Sequence, residues 1–206
     1  MLNESETTVY RKSLSKQVIA TATEAFFSKG IKAVKMDDIA SQLSISKRTL
    51  YELFANKEKL LLECVKEKHN EFRRHMDDFI REDTSVISII IETYRYQMSR
   101  ANGICQAYYY DLQRYPNVKE WINEQHNQRQ GTAMEFYRQG VEEGFFRSDV
   151  DFTLISNVCN ASMDYIMKNQ LFKHYSMSQI FHNIILLYVR GFCTLKGVKA
   201  LEEYNL

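Results

Sequence analysis

The chain has 206 residues, of which 45% are hydrophobic and 26% are charged, with one proline and seven glycines. This length suits one or two domains with a sizeable core, and so few helix breakers exclude a turn-rich β-fold. The formal net charge is +1, so bulk charge alone says nothing about nucleic acid. The polar N-terminus lacks a signal-peptide core, and no run of roughly eighteen apolar residues predicts a membrane span. We therefore expect a cytoplasmic protein with no membrane partner.

Hydrophobic spacing predicts an all-α fold, because apolar residues recur at three- and four-residue steps along most of the chain. Gly30 is expected to end the first helix, Ser46 to cap the third and Asn56 to cap the fourth. About nine helices are predicted, over residues 16–29, 36–43, 47–54, 57–81, 85–100, 104–113, 118–143, 151–168 and 178–196. We place the domain boundary at the start of the long fourth helix, between residues 56 and 57.

Positive charge is concentrated near the N-terminus. Residues 11–60 carry ten Lys and Arg against five acids, a local net charge of +5. A local basic surface is what phosphate binding needs, because neutralising phosphates releases condensed counterions. A solvated helical surface would have the same composition, so charge alone leaves both interpretations open.

The second and third predicted helices have the pattern of a helix-turn-helix, in which two short helices cross over a small, apolar contact. The residues that can fill this contact are Ile39, Ala40, Leu43, Ile45 and Leu50. Leu50 and Phe54 are expected in the core. The first turn of the third helix presents Lys47, Arg48 and Thr49, where a recognition helix reaches DNA.

The run from Gly30 to Leu60 resembles the DNA-binding domain of TetR-type regulators. The shared pattern is a Gly, then Ile-Ala, a turn, Ser-x-x-Thr-Leu-Tyr-x-x-Phe and Lys-Glu-x-Leu, and at least ten positions match without a gap. The remaining 150 or so residues resemble the family only in length and helical character. The resemblance implies an N-terminal three-helix DNA-binding domain over residues 1–56. It implies a C-terminal helical domain for effector binding and dimerisation over residues 57–206.

The resemblance also implies roles in DNA binding for particular side chains. Thr49 would donate its hydroxyl to DNA, Tyr51 would hydrogen-bond a phosphate, and Lys57 would meet the backbone at the start of the fourth helix. Lys47 and Arg48 are the best candidates for base or phosphate contacts. An N-terminal basic arm and one position before the second helix complete the predicted interface: Arg11, Lys12 and Lys35.

The chain departs from the family pattern at three positions. Ser44 stands where glycine is common in the turn, which costs about 1 kcal/mol if this residue adopts a positive φ. Arg48 stands where glycine is common before the threonine, and Lys35 where a threonine is common. The last two add charge to the DNA-facing surface, so the operator sequence is not predicted.

The last two predicted helices are apolar on two faces, as expected for helices that contact both their own core and a partner. One monomeric core would have the same pattern, but the resemblance implies a two-fold dimer through a four-helix bundle, with Gly191 allowing close approach. A dimer would place two recognition helices about one turn of DNA apart. The predicted interface residues are Ile155, Cys159, Met163, Ile184, Tyr188, Gly191 and Phe192.

The middle helices are rich in tyrosine, tryptophan and methionine, a composition typical of ligand pockets but also of ordinary cores. The preferred pocket residues are Tyr94, Met98, Tyr109 and Trp121. A small apolar or aromatic effector is therefore expected. The four cysteines and five histidines show no metal-ligand spacing, so no metal and no cofactor are expected.

These observations predict a dimeric repressor that leaves its operator when a small molecule binds the second domain. An activator, or an architectural DNA-binding protein that senses nothing, remains an alternative. An enzyme is disfavoured, because the chain has no GxSxG motif, metal spacing or phosphate loop. The sequence leaves open the effector, the operator, the regulated genes and whether a cysteine senses redox state.

Overall fold

The computed structural model describes residues 4–128 and 130–204. Within these ranges the protein forms eleven α-helices and one short 3₁₀-helix, Leu171–Lys173. In chain order, the α-helices are α1 Glu4–Lys29, α2 Met36–Gln42, α3 Lys47–Leu53, α4 Lys57–Phe79, α5 Val86–Ala101, α6 Gln106–Leu112, α7 Pro116–Gln128, α8 Gln130–Glu142, α9 Phe152–Lys168, α10 Met177–Phe192 and α11 Leu195–Glu202.

The predicted all-α class is confirmed, and the helix boundaries differ from the prediction mainly in two places, the start of the first helix and the end of the last. The first helix begins at Glu4 and not near residue 16. The predicted helix over residues 118–143 is helical in both of its described parts, α7 and α8. The last predicted helix ends at Phe192, and a separate helix, α11, follows after Thr194.

The chain divides into two compact units. Unit 1 comprises Met1–Glu71 and Ala107–Trp121, and unit 2 comprises Phe72–Gln106 and Ile122–Leu206. Unit 1 therefore contains the helix-turn-helix, most of α4, nearly all of α6 and the start of α7. These two units are defined by which residues pack together. The predicted boundary between residues 56 and 57 instead separates DNA binding from effector binding and dimerisation, and it stays a prediction.

The core of unit 1 forms where α1, α2 and α3 meet the start of α4. Phe26, Ile39 and Leu50 are at most 1% exposed, and Phe54 is buried as predicted. Gly30 ends α1 with a φ of +85°, and its N–H donates to the carbonyl of Phe26 at 2.9 Å. This left-handed residue closes the helix and redirects the chain toward α2.

The core of unit 2 combines buried aliphatic residues of α5 and α11 with an aromatic cluster between α8, α9 and α10. The rings of Tyr137 and Phe152 stack with their centroids 4.4 Å apart, and Phe146 packs edge-on against Phe192 at 5.0 Å. A side chain at Gly140 would collide with the Phe146 ring, so glycine lets α8 approach it closely. Aromatic pairs in these orientations add to the energy of burying their apolar area.

Candidate nucleic-acid interface

The turn of the helix-turn-helix is built by local hydrogen bonds. Ser46 caps α3 by accepting the N–H of Thr49 at 3.0 Å, and its hydroxyl also lies 2.8 Å from the Thr49 hydroxyl. Ser44 adopts a positive φ of 54°, the conformation in which a residue with a Cβ is strained. The predicted cap is therefore confirmed, and Ser44 adopts the positive φ on which the predicted cost of a missing glycine depends.

The N-terminus of α2 is closed by an acidic side chain. The Asp38 carboxylate accepts the N–H of Lys35 at 2.8 Å, and Asp37 and Asp38 both lie in the first turn, where the helix dipole favours negative charge. Lys35 is exposed immediately before this helix. The position that departs from the family pattern therefore presents its ammonium group to solvent at the start of α2.

The first turn of α3 carries two exposed cations that are paired with acids of the same unit. Lys47 Nζ lies 2.9 Å from Asp37, and Arg48 Nε lies 2.9 Å from Glu52. The hydrogen bond and the charge of Asp37 raise the pKa of Lys47, and Glu52 raises the pKa of Arg48 in the same way. Both cations stay charged at neutral pH, and exposed pairs of this kind exchange partners readily.

Tyr51 and Lys57 differ in accessibility. The Tyr51 ring is 42% exposed on α3, and Lys47 Nζ lies 6.0 Å from its centroid. Lys57 is half-buried at the start of α4, with Nζ 3.5 Å from the Lys32 carbonyl oxygen and 5.9 Å from the centroid of the Phe26 ring. Burial lowers the pKa of Lys57, while the charges of Asp111 and Asp38 act in the opposite direction.

The predicted N-terminal arm is helical in the structure. Arg11 and Lys12 lie within α1 and are exposed, as are the neighbouring apolar residues Val9 and Tyr10. Leu14, one turn further on, is buried in unit 1. The basic pair is therefore carried by a regular helix that continues into the core of the unit, and not by an extended segment.

The sequence analysis missed Asp111, a buried acid in unit 1. Asp111 is 5% exposed, and its Oδ2 accepts the N–H of Lys32 at 2.6 Å. The two residues are 79 positions apart. No window of the sequence predicts this bond, because helix α6 resembles any short aromatic helix until its position beside the turn after α1 is known.

The four predicted pocket residues are divided between the two units. Tyr94 and Met98 are half-buried on α5 in unit 2, where the Tyr94 hydroxyl hydrogen-bonds His182 Nδ1 at 2.6 Å. Tyr109 and Trp121 belong to unit 1, where they pack edge-on against the rings of Tyr108 and His69. His182 was not predicted from the sequence, and it is the polar partner of Tyr94, which was.

A small apolar cavity lies in unit 2 near the end of α9 and the start of α10. Its volume is about 220 Å³, below the range of about 300–1,000 Å³ typical of pockets that enclose a drug-sized ligand. None of the four predicted pocket residues lines it. The lining residues are Ile166, Leu171, Tyr175, Gln179, Ile180, Asn183 and Ile184.

The predicted dimer residues do not share one accessible face. Phe192 is 5% exposed in the core of unit 2, Ile155 packs against that core, and Tyr188 hydrogen-bonds Ser162 at 2.7 Å. The interface prediction for Phe192 needs correction, because its ring faces three aromatic rings of its own subunit. Cys159, Met163 and Ile184 are half-buried, and a Cβ at Gly191 would meet no atom within 4 Å.

A different stripe of α9 and α10 exposes large apolar side chains. Leu187 is 70% exposed on α10, and its counterparts on α9 are 43–61% exposed. These α9 residues are Leu154, Val158 and Tyr165, which recur at helical spacing along one face. We call these four residues the exposed stripe. Leu154, Val158 and Leu187 each precede by one residue a predicted interface residue, namely Ile155, Cys159 and Tyr188.

Two of the four cysteines are buried in environments that disfavour the thiolate. Burial raises the pKa of Cys64 to about 12 and that of Cys193 to about 11, which disfavours their thiolate forms. Among residues 4–128 and 130–204, no group of three or more His, Cys, Asp or Glu side chains is arranged to hold a metal ion. Within the same ranges, no helix is both long and apolar enough to cross a membrane.

Comparison with known proteins agrees with the helix-turn-helix geometry. Residues 18–64 match the family model for bacterial regulatory proteins of the tetR family. The chain is 21% identical over 184 residues to the fatty acid metabolism regulator protein of Bacillus subtilis, covering 85% of this chain and 93% of the relative.

Solved structures with the same fold include two regulators determined with ligands. Bacillus subtilis FadR in complex with stearoyl-CoA has a TM-score of 0.62 at 20% identity, covering 86% of this chain and 98% of that one. A Saccharomonospora viridis transcriptional regulator in complex with choline has a TM-score of 0.69 at 16% identity, covering 89% and 99%. The fold and the helix-turn-helix thus define a DNA-binding transcriptional regulator. More particularly, its residues 18–64 match the DNA-binding domain of the tetR family, and the whole chain is similar in fold to regulators of that kind.

Proposed function

We propose that this regulator is a dimeric repressor that binds a two-fold operator and leaves it when a small effector binds. The observation that carries the proposal is the first turn of α3, where Lys47 and Arg48 are exposed on a capped helix within a TetR-type domain. Under this proposal, residues 1–56 serve DNA binding and residues 57–206 serve effector binding and dimerisation. Its place of action is the cytoplasm, where bacterial operators lie.

The proposed DNA contacts divide by type. Thr49 and the two cations of the first turn reach bases or phosphates, and Tyr51 donates its phenol to a phosphate. The pairs that Lys47 and Arg48 make with acids are exposed, so each is exchanged for a phosphate at small cost. The remaining proposed backbone contacts come from Arg11, Lys12, Lys35 and Lys57.

The proposed dimer forms through the exposed stripe. Four large apolar side chains on two adjacent helices are unusual for a surface that stays in water, and such patches mark protein interfaces. The open space at Gly191 supports a close approach of helices there. Of the residues predicted from sequence, Cys159, Met163, Ile184, Tyr188 and Gly191 border this stripe and complete the proposed interface, whereas Ile155 and Phe192 belong to the core.

We propose a long-chain acyl-CoA as the effector class. The curated relative regulates fatty acid metabolism, and a structure with the same fold holds stearoyl-CoA. The half-buried Tyr94, its partner His182 and Met98 supply the combination of polar handles and apolar area that such a ligand needs. Release would follow from differential affinity: a ligand that prefers the state with the wrong half-site spacing weakens operator binding by that preference.

A fluorescence-anisotropy titration tests this proposal. The purified chain is titrated onto a labelled duplex from the region upstream of its own gene, first alone and then with stearoyl-CoA, free stearate or choline. We expect two-fold-symmetric binding that salt weakens and that stearoyl-CoA reverses at micromolar concentration. Release by choline alone would replace the effector class while keeping the repressor. Absence of specific binding to any upstream duplex would contradict the repressor itself.

A further inference from the structure

The backbone of Lys32, in the turn after α1, is held from two sides. The N–H of Lys32 donates to Asp111 Oδ2 at 2.6 Å, and the carbonyl oxygen of the same residue lies 3.5 Å from Lys57 Nζ. Asp111 comes from α6 and Lys57 is the first residue of α4. The backbone of Lys32 therefore stands between a buried carboxylate and an ammonium group at the DNA-facing end of α4.

The approach of α6 to this turn leaves little space. A Cβ placed on Gly30 would lie 2.7 Å from Ala107 Cβ and 3.3 Å from Asp111 Oδ2. Both of those residues belong to α6, and Gly30 also needs its positive φ of 85°. Close packing keeps the carboxylate near the Lys32 amide and limits how far the turn can shift while α6 stays in place.

A buried carboxylate requires compensation, because removing a charge from water is costly unless it is hydrogen-bonded or paired. At Asp111 a short charge-assisted bond from a backbone amide provides this compensation. A neutral acceptor could cap a turn without carrying a charge into the interior. The negative charge has a further consequence: together with Asp38 it favours the charged form of Lys57, which burial opposes.

Lys57 is not placed as a freely extended surface lysine. Its Nζ lies over the Phe26 ring, 5.9 Å from the centroid, and 3.5 Å from the Lys32 carbonyl oxygen. A lysine loses much side-chain entropy when a contact fixes it, so partial ordering before binding lowers the cost of a phosphate contact. The position of the Lys32 carbonyl therefore influences where that ordered ammonium group lies.

We propose that Asp111 is a positioning residue for DNA binding: by holding the Lys32 backbone, it places the Lys57 ammonium group for contact with a phosphate of the operator. The inference rests on the proposed operator binding and adds a residue of α6 to it. Asp111 itself does not touch DNA. Its effect on operator affinity passes through Lys57, so the two residues act as one unit and their substitutions are not additive.

The test compares four variants on one duplex that the wild-type chain binds: Asp111→Ala, Asp111→Asn, Lys57→Met and the double variant Asp111→Ala/Lys57→Met. Operator Kd is measured by fluorescence anisotropy at several salt concentrations, and thermal unfolding monitors folding. We expect Lys57→Met to reduce the salt slope by about one per subunit, since each phosphate contact contributes about 0.9. Asp111→Ala should give the same reduction and the same loss of affinity, and the double variant no further loss. Asp111→Asn retains an acceptor oxygen and should recover most of the wild-type slope.

Three results would overturn the inference. The first is an Asp111→Ala variant whose operator affinity depends on salt as steeply as that of the wild type. The second is a double variant whose loss of operator affinity equals the sum of the two single losses. The third is an Asp111→Asn variant that folds but binds the operator no better than Lys57→Met. This comparison keeps the test decisive if Asp111→Ala is too unstable to measure. If the wild-type chain binds no duplex specifically, the proposed operator binding fails before the variants are compared.

Discussion

The two units differ in how their structure is specified. In unit 1, local signals mark the element ends: Gly30 ends α1, Ser46 caps α3, and Asn56 caps α4 by accepting the N–H of Lys59 at 2.9 Å. Each signal acts within four residues along the chain. In unit 2, local caps also begin helices, as Ser176 does for α10. The C-terminal end of α10 and the facing of α9, however, depend on residues far away in sequence, such as the aromatic cluster around Phe146.

This difference teaches which inferences a sequence supports. Capping chemistry is local, so it can be read from a short window. The choice of the core-facing side of a helix is not local when the helix is apolar on two faces, as α9 and α10 are. Substitutions in each unit can test whether its structure depends on local or on distant residues, and they are ordered from the largest expected effect to the smallest.

The largest effect is expected from Phe192→Ala. Phe192 is buried among three aromatic rings, so removing its ring should lower the free energy of unfolding by about 3–5 kcal/mol in chemical denaturation. Ile80→Ala, at an exposed position of the same unit, is the control and should change it by less than about 1 kcal/mol. A Phe192→Ala protein with unchanged stability but weaker self-association would restore the role predicted from sequence.

The next largest effect concerns self-association. Leu187→Glu puts a charge into the exposed stripe, and an unpaired buried charge costs at least about 3 kcal/mol. We therefore expect the dimer dissociation constant to rise by about two orders of magnitude in analytical ultracentrifugation, with operator affinity falling in parallel. Ile80→Glu adds the same charge to another exposed apolar position and should leave the dimer intact. Equal behaviour of the two variants would place the interface elsewhere.

A smaller effect of opposite sign is expected from Asp37→Asn in unit 1. The substitution releases Lys47 from its 2.9 Å ion pair and removes a negative charge near the proposed DNA surface. Operator affinity should rise by about two- to fivefold per subunit at low salt, and the gain should shrink as salt increases. Glu82→Gln removes a negative charge from unit 2 and controls for net charge. A loss of affinity in Asp37→Asn would show that its carboxylate supports the bound geometry.

The smallest effect is expected at the turn of the helix-turn-helix. Ser44 has a φ of 54°, so Ser44→Gly should stabilise the protein by about 1 kcal/mol while leaving operator affinity unchanged. Ser28→Gly, in the last turn of α1, removes a side chain from regular helix and should destabilise by about 0.5–1 kcal/mol. The two serines therefore respond oppositely to the same substitution. Equal destabilisation would mean that Ser44 is not strained.

The sequence predicted the fold class, the helix-turn-helix and its caps, and it missed what depends on distant partners. The extra turns at the start of α1 escaped notice because exposed residues such as Val9 and Tyr10 break the apolar stripe that begins at Leu14. The end of α10 escaped it for another reason. There Thr194 donates backbone and side-chain bonds to the carbonyls of Phe145 and Gly144, about fifty residues away.

The candidate site divides in the same way. The exposed cations of α3 could be selected from sequence, because a helix-turn-helix places the first turn of its second helix toward DNA. Asp111 could not, because its role depends on a contact between α6 and the turn after α1. The pocket residues were chosen by composition alone, and composition does not distinguish Tyr94, in unit 2, from Tyr109, in unit 1.

The central claim is that unit 1 of a dimer reads DNA at two half-sites. Hydroxyl-radical footprinting of the saturated complex on a duplex from the chain's own upstream region tests it most directly. We expect protected patches in two symmetric half-sites about one helical turn apart, on one face of the duplex, and we expect them to disappear in Leu187→Glu at a concentration that saturates the wild type. A single unsymmetric patch, or two patches that persist in Leu187→Glu, would contradict it.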